Sequence, residues 1–430
     1  MKKVMLKTTL SVAVALASTQ LFASGFALNE QSISGMGVGF AGRSSSAEDA
    51  STVYGNPAGM SRIKQEQFSI GAAAIIAKTD LSGSSRTPGL TGSNDGDMVP
   101  VVGVPMGYYV KPIDEHWAVG FGVYAPFGLK TEYENGFQGR YWAHDSKVQV
   151  VTLQPTVSYA FNDRVSIGGG PTINRIDGTL SSAVRNPLSA ALPDGKATIK
   201  GDDTAVGYNI GILVQATDKT RLGLTYHSMV DYKLKGSTKV DLGALVNPAL
   251  GSRDYDARLN IKTPETVDAS FTHELNDQWT IYGGSTWTRW SRLKSIVVEN
   301  SGNLGSAGGP SFGTITEEQN WHDTWSHAIG ASYKVNKEWT LRSGFSVDQS
   351  PTNNTNRSPR IPTGDRWAVS FGAGWTPTEN MTIDVAYSYL KEETVDVDLT
   401  GSGTSTTKGN YQGKYRNSAH GIGTGITYRF

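Results

Sequence analysis

The 430-residue sequence contains no cysteine. This absence excludes disulfides, thiolate metal sites and cysteine nucleophiles. Basic and acidic residues are equally numerous, with 39 of each, so the chain has no basic surplus with which to bind nucleic acid. Beyond residue 23, no stretch reaches the roughly 18 consecutive apolar residues that a transmembrane helix needs. A chain of this length must therefore be stabilised by another kind of architecture.

The first 23 residues have the features of a secretory signal peptide. Three lysines give a basic start, the apolar run 10–16 follows, and small residues lie at Ala17 and at Ala23-Ser24. The apolar run is too short to span a bilayer as a helix. We expect cleavage after Ala23, with 15–17 as an alternative site. The mature chain then has 36 basic and 39 acidic residues, a net charge of −3 with histidine neutral.

Much of the remaining chain alternates with a period of two. In 421–430, Ile422, Ile426 and Tyr428 alternate with glycine, threonine and arginine. The same alternation recurs in four other segments: 117–124, 339–348, 366–375 and 381–389. One apolar face and one small or polar face are typical of β-strands.

Short polar turns alternate with long loops along the chain. The six predicted turns are 112–116, 161–164, 217–220, 276–278, 336–338 and 377–380. The seven predicted loops, rich in Gly, Ser, Asn and Pro, lie near 80–98, 130–146, 182–197, 239–253, 300–314, 350–362 and 400–413. These connections predict an all-β fold, a 14-stranded antiparallel transmembrane β-barrel of the bacterial outer membrane, in which closure of the sheet pairs every backbone group.

The ends of the predicted strands favour a membrane protein. Aromatic residues beside the short turns would form an interfacial girdle: Trp117, Phe161, Trp279, Trp339 and Trp375. Phe430, with Tyr428 before it, resembles the terminal signal that barrel assembly machinery recognises. The expected partners are therefore this machinery, outer-membrane lipid with lipopolysaccharide, and no nucleic acid, for a monomeric barrel. A soluble protein with two sandwiches or a propeller is the alternative, but it would hide its apolar faces.

Residues 24–64 show no strand alternation and precede the predicted barrel region, 65–430. Within them, 37–42 fits G-x-G-x-x-G, which in a dinucleotide site follows a strand, opens a helix and precedes an acidic ribose ligand by about 20 residues. Here the preceding residues are polar, and Glu48 and Asp49 come too early. The small residues instead predict a tightly packed plug, or hatch, of short helices and turns.

The segment 25–60, "GFALNEQSISGMGVGFAGRSSSAEDASTVYGNPAGM", resembles the N-terminal hatch of the FadL/TodX family of outer-membrane transporters for hydrophobic compounds. The resemblance extends through 124–133, 224–236, 263–291, 341–351 and 362–375. It covers the mature chain and implies a fourteen-stranded barrel with an N-terminal plug. The plug residues that it implies are Gly25, Phe26, Leu28, Asn56, Pro57 and Ala58.

Two predicted extracellular loops carry apolar residues suited to substrate capture, because each methylene that leaves water contributes about 0.8 kcal/mol. These residues are Leu188, Ala191 and Leu192 in the fifth-to-sixth connection, and Leu242, Leu245, Val246 and Leu250 in the seventh-to-eighth. In the family that the chain resembles, the corresponding loops form the first substrate groove. Packing of the two loops on each other as a lid is an alternative that is compatible with capture.

Pro126 falls inside the third predicted strand, where proline removes a ladder donor. A closed barrel has no edge on which to place it. We predict an inward kink at Ala125, Pro126, Phe127 and Gly128. The resemblance implies that such a kink opens a lateral exit into the membrane; a proline just above the membrane is the alternative.

Several charged residues fall on the predicted inward face: Arg175, Lys334, Arg342, Asp348, Arg366 and Asp384. Lumen charges are usually hydrated or paired with one another. A carboxylate substrate nevertheless needs a cationic partner, and arginine offers two parallel donors. The family places basic residues beside the substrate head group, which makes Arg175 a candidate partner.

The alternatives from other classes have weaker support. The stretch 309–313 fits the G-x-S-x-G pattern of esterases, but it lies in a glycine-rich loop rather than between a strand and a helix. His322 and His327 would point to opposite faces of a strand and cannot share a metal. We therefore predict no enzymatic activity, no metal and no cofactor. A general porin or adhesin is a further alternative, and would conduct ions steadily.

The expected function is passive, ligand-gated uptake of hydrophobic molecules. Substrate would adsorb on the outer loops, enter an apolar pocket against the plug, and leave through the wall once the N-terminal residues 25–28 shift. Long-chain fatty acids are the first choice of cargo, and aromatic or alkane hydrocarbons are the alternative. No motif in the sequence separates these cargoes.

Overall fold

The computed structural model describes residues 25–85, 90–185, 193–241, 253–301, 313–400 and 408–430. The predicted signal peptide lies outside this part of the chain. Within it, fourteen strands form the predicted barrel, five of them interrupted: β1 Gln67–Ser85, β2 Val102–Pro112, β3 Trp117–Glu132, β4 Asp145–Ala160, β5 Val165–Val184, β6 Gly195–Thr217, β7 Thr220–His227 and Val230–Asp241, β8 Arg253–Thr263 and Thr266–Glu274, β9 Trp279–Thr288 and Ser295–Asn300, β10 Thr314–Glu318 and Thr324–Lys334, β11 Trp339–Asp348, β12 Arg366–Thr378, β13 Met381–Glu392 and Val395–Asp398, and β14 Tyr411–Arg429.

The sheet closes through its first and last strands. β1 pairs with β14 from Gln67–Arg429 to Ser85–Tyr411, and every other strand pairs antiparallel with the next in sequence. Closure leaves no sheet edge exposed to lipid. The six predicted short turns coincide, within two residues, with the short connections at one end of this barrel. This agreement confirms the fold class.

Side chains alternate between a lipid-facing and an inward surface. Large apolar residues are exposed on the outside, including Val206, Ile329 and Phe371, while their sequence neighbours point inward. The turn-flanking aromatic residues Trp117, Phe161, Trp279, Trp339 and Trp375 are all exposed. No helix in the described ranges is long and apolar enough to cross a membrane.

The N-terminal segment, residues 25–66, lies against the inner wall of the barrel. It contains α1 (Ile33–Gly37), α2 (Thr52–Gly55) and a 3₁₀ helix (Pro57–Arg62). Ser32 and Asn56 cap α1 and the 3₁₀ helix through side-chain oxygens that accept backbone N–H groups. These helices stay short because each turn meets the wall.

Glycines bring the N-terminal segment and the wall into backbone contact. A Cβ atom added at Gly344 would lie 2.1 Å from Val38, and one added at Gly223 would lie 1.8 Å from the carbonyl oxygen of Ser44. Gly39 has φ +66° and faces Gly344. The glycines of 37–42 therefore serve close packing inside the barrel, as the sequence indicated, and not nucleotide binding.

Candidate functional site

An apolar cavity lies inside the barrel, toward the end that carries the long loops. Its walls are aliphatic side chains from adjacent strands, namely Leu129, Val148, Ile176, Leu180, Ile199, Leu234, Leu259, Ile261, Leu293, Ile296 and Val298. Phe26 of the N-terminal segment forms part of its floor. Arg360, which is buried, also borders it, whereas the side chains of Lys200 and Arg258 are exposed. The lining of the cavity suits an apolar molecule.

A row of very small residues makes this space. Gly178 of β5 pairs with Gly201 of β6, Gly201 with Gly236 of β7, and Gly236 with Ala257 of β8. These positions share the inward face with Ile176 and Leu234. At this height, four adjacent strands carry only glycine or alanine on the inward face. The space that larger side chains would fill is part of the cavity. The sequence shows each glycine, but only the strand register shows that they align.

Aromatic rings surround Phe26 below the cavity. Its ring centroid lies 4.9 Å from that of Trp290, 5.7 Å from that of Phe127 and 6.1 Å from that of Trp321. Trp290 and Trp321 reach the interior because β9 and β10 are interrupted there. Gly25 has φ +65°, and a Cβ atom there would lie 2.5 Å from Trp321. The first described residues are therefore held tightly by this aromatic cluster.

β3 is bulged at the predicted kink. Its pairing with β4 shifts register between Tyr124 and Phe127, so two residues, Ala125 and Pro126, stand opposite the single residue Val151. Proline cannot donate a ladder hydrogen bond, which favours the bulge at this position.

The ladder between β2 and β3 ends beside this bulge. The last paired residues are Gly107 and Val123, beyond which residues 124–132 of β3 have no partner in β2. The N-terminal segment occupies this gap: the N–H of Leu28 donates to the carbonyl of Pro126 at 2.9 Å, and the N–H of Gly128 donates to that of Phe26 at 2.8 Å. Residues 26–28 therefore pair with β3 where β2 does not.

The inward charges on β11 to β13 are paired. Arg342 donates to Asp384 at 2.7 Å and to Glu48 of the N-terminal segment at 3.5 Å, and the Tyr282 hydroxyl donates to Glu48 at 2.5 Å. Arg366 donates to Asp348 at 2.8 Å. Lys334 is exposed at the end of β10. Arg342 therefore ties the N-terminal segment to the wall.

The prediction that Arg175 points into the lumen is wrong. The buried side chains of β5 at this height are those of Asn174 and Ile176, whereas Arg175 lies on the outer face with Asp177 and Asp202. Its guanidinium is 3.0 Å from the Asp202 carboxylate. Beyond the lipid band the outer face of the barrel contacts water, so charged residues lie on that face and apolar residues face the cavity. Within the membrane the arrangement is the opposite, with apolar residues on the outer face.

A second, more polar cavity lies between the N-terminal segment and β8 to β13. Glu30, Arg43, Asp268 and Arg366 border it. Burial raises the pKa of the Glu30 carboxyl above its ordinary value, against the opposing charges of Arg366 and Arg43. The N-terminal segment thus divides the lumen into an apolar and a polar side.

Some predicted residues fall outside the described ranges. They are Leu188, Ala191, Leu192, Leu242, Leu245, Val246 and Leu250, together with 309–312 of the G-x-S-x-G stretch. Nδ1 of His327 and Oγ of Ser285 lie 2.8 Å apart and form a hydrogen bond. Within the described residues, no group of three or more His, Asp or Glu side chains is arranged to hold a metal ion.

A closed antiparallel barrel with an apolar outer face is a transmembrane barrel of the outer-membrane type. The family "Outer membrane protein transport protein (OMPP1/FadL/TodX)" matches residues 14–430, so the chain belongs to this family of outer-membrane transport proteins. This membership confirms the predicted family, the outer-membrane localisation and the absence of an enzymatic role.

Full-length relatives agree with this assignment. The chain is 29% identical over 457 residues to the "Long-chain fatty acid transport protein" of Escherichia coli O6:H1, covering 100% of this chain and 99% of that protein. It is 28% identical to "Outer membrane protein P1" of Haemophilus influenzae, covering 99% of each. Transport of hydrophobic molecules is therefore supported at the level of the family.

Solved structures show the same architecture. A Pseudomonas aeruginosa FadL homologue has a TM-score of 0.80 at 27% identity, covering 95% of this chain and all of that one. The Ralstonia pickettii toluene transporter TbuX has a TM-score of 0.66 at 19% identity, covering 92% and 97%. The second likeness shows the fold alone.

Proposed function

We propose that the protein is a passive channel for the uptake of long-chain fatty acids across the outer membrane. The observation that carries this proposal is the aliphatic cavity inside the barrel, which Arg360 borders. Aliphatic walls suit an alkyl chain, and the buried Arg360, which pairs with Glu317 at 3.2 Å, is the cation on the inward side that a carboxylate could meet. The full-length fatty acid transport relative supports the same cargo. Aromatic or alkane hydrocarbons remain the alternative cargo, which the aromatic cluster around Phe26 would favour.

The N-terminal segment serves as the plug in this proposal. It contacts inner-wall strands that include β1, β4, β12 and β14, and its residues 26–28 close the gap beside the β3 bulge. A ligand that fills the apolar cavity presses on Phe26, which forms part of the cavity floor. Displacement of Phe26 breaks the two backbone hydrogen bonds to β3 and opens a sideways exit into the membrane. Capture at the extracellular loops is the first step.

Uptake of two labelled cargoes tests the choice of substrate. Cells that lack their own hydrophobe channels and express this protein should accumulate oleate well above an empty-vector strain. Toluene uptake should stay near the empty-vector level if fatty acids are the cargo. A gain for toluene without a gain for oleate would instead select the hydrocarbon alternative, and no gain for either would overturn the proposed function.

We expect Arg342→Met to loosen the plug. The substitution leaves the Asp384 carboxylate buried beside Glu48 without its cationic partner, and breaking such a buried pair costs about 3–5 kcal/mol. Planar-bilayer recordings should show ion conductance several times that of the wild type. Arg164→Met, which removes an exposed ion pair with Asp218, is the control and should conduct like the wild type. Equal, low conductance for both variants would contradict the anchoring role.

A further inference from the structure

A cluster of four cationic side chains lies on the outer wall where β6, β7 and β8 rise beyond the lipid band. Lys200, Lys233, Lys235 and Arg258 are all exposed, while their neighbours Leu234 and Ala257 are buried on the inward face. In the described part of the chain, no carboxylate forms an ion pair with the side-chain nitrogens of these four residues, although the Asp203 carboxylate accepts the backbone N–H of Lys233 at 2.7 Å. Nearby Lys262, in contrast, pairs with Asp231 at 3.4 Å.

Two of these cations stand directly opposite each other. Lys235 of β7 and Arg258 of β8 are cross-strand partners, and Lys200 and Lys233 are their near neighbours on the same face. Like charges directly opposite in an antiparallel pair are destabilising. The flanking carboxylates do not relieve this repulsion fully, because Asp202 is held by Arg175 at 3.0 Å and Glu299, opposite Arg258, lies beyond ion-pair distance. An external anion would relieve it.

The height of the cluster identifies the kind of anion. On β6 the lipid-facing band includes Val206, Tyr208 and Ile210, each about half exposed or more. Lys235 is level with Asp202, four residues beyond Val206. Four residues of a tilted strand rise about 10 Å. The cluster therefore lies in the head-group layer of the outer leaflet, directly above the acyl chains.

We propose that this cluster binds the phosphorylated head group of an outer-leaflet glycolipid. Its acyl chains lie along the apolar band below, and its phosphate oxygens accept charge-assisted hydrogen bonds from the lysine and arginine donors. On the opposite wall, the outward cations include Lys78 of β1, Lys391 of β13 and Arg416 of β14; Ser418 lies between the two lysines, and Asp80 stands opposite Arg416.

Glycolipid titration into the purified full-length protein tests the proposal. The test variant is Lys233→Gln with Lys235→Gln, because neither residue borders the apolar cavity. The matched control is Lys219→Gln with Lys337→Gln, which removes the same charge from the short turns at the other end of the barrel. Native mass spectrometry in detergent micelles would measure the bound fraction of bisphosphorylated lipid A. We expect the test variant to lose about tenfold in affinity and the control less than about twofold.

Two further binding experiments distinguish a lipid phosphate from free phosphate. Dephosphorylated lipid A should bind the wild type as weakly as the test variant binds the phosphorylated form. Inorganic phosphate at millimolar concentration should not displace the lipid, since it lacks the acyl chains. Equal losses in both lysine variants, undiminished binding of dephosphorylated lipid A, or displacement by phosphate alone would each overturn the proposal.

Discussion

Gly178→Leu should abolish most oleate uptake while the barrel stays intact. A Cβ atom at Gly178 meets only the Leu234 Cδ2 atom at 3.6 Å and the Gly201 carbonyl at 3.8 Å, which are ordinary contacts. The leucine side chain would project into the part of the apolar cavity that the small residues of β5 to β8 leave open. Each methylene of cargo that it excludes forfeits about 0.8 kcal/mol. Loss of two such methylenes lowers occupancy more than about tenfold.

The control for this experiment adds the same side chain to the outside of the barrel. Gly103 of β2 alternates with the buried residues Val102 and Val104, and a Cβ atom there has no neighbour within 4 Å. Gly103→Leu should therefore leave oleate uptake near that of the wild type. Heat-modified mobility on a gel would show whether both variants fold. Normal uptake by folded Gly178→Leu would remove the cavity from the pathway.

The turns and strands were predictable because their signals are local. Each short polar turn interrupts an alternating segment, and Pro126 marks an irregular position within β3 without any knowledge of its neighbours. The aligned glycines 178, 201 and 236 are different, because each belongs to a separate strand. Their alignment depends on the register of three strand pairings, which no single segment of sequence contains.

Arg175 shows where the alternation rule fails. In the lipid band, apolar residues such as Ile210 face out, and that rule assigns a nearby charge to the lumen. Beyond the band the outside is water and the inside is the apolar cavity, so Ile176 and Leu180 face in and Arg175 faces out. The sequence does not mark the height at which the rule changes. Strands that extend far beyond the membrane therefore need a separate interpretation at each end.

Deletion of Pro126 should block uptake without removing the cargo cavity. The bulge places Ala125 and Pro126 opposite Val151, so the loss of one residue restores one-to-one pairing of β3 with β4. A straight β3 can continue its ladder with β2 beyond Gly107 and close the gap that residues 26–28 now occupy. We expect oleate to bind the purified variant with about the wild-type affinity, but uptake by cells to fall at least about tenfold, since the exit from the cavity is closed.

Pro126→Ala is the matched control for this deletion, because it keeps both bulge residues while it removes the proline ring. Its uptake should remain within about twofold of the wild type if the extra residue, and not the ring, holds the gap open. Fluorescent fatty acid binding to the purified proteins separates capture from release. Loss of binding in the deletion variant would assign the defect to the cavity, and normal uptake would show that cargo leaves the barrel by a route other than the wall beside β3.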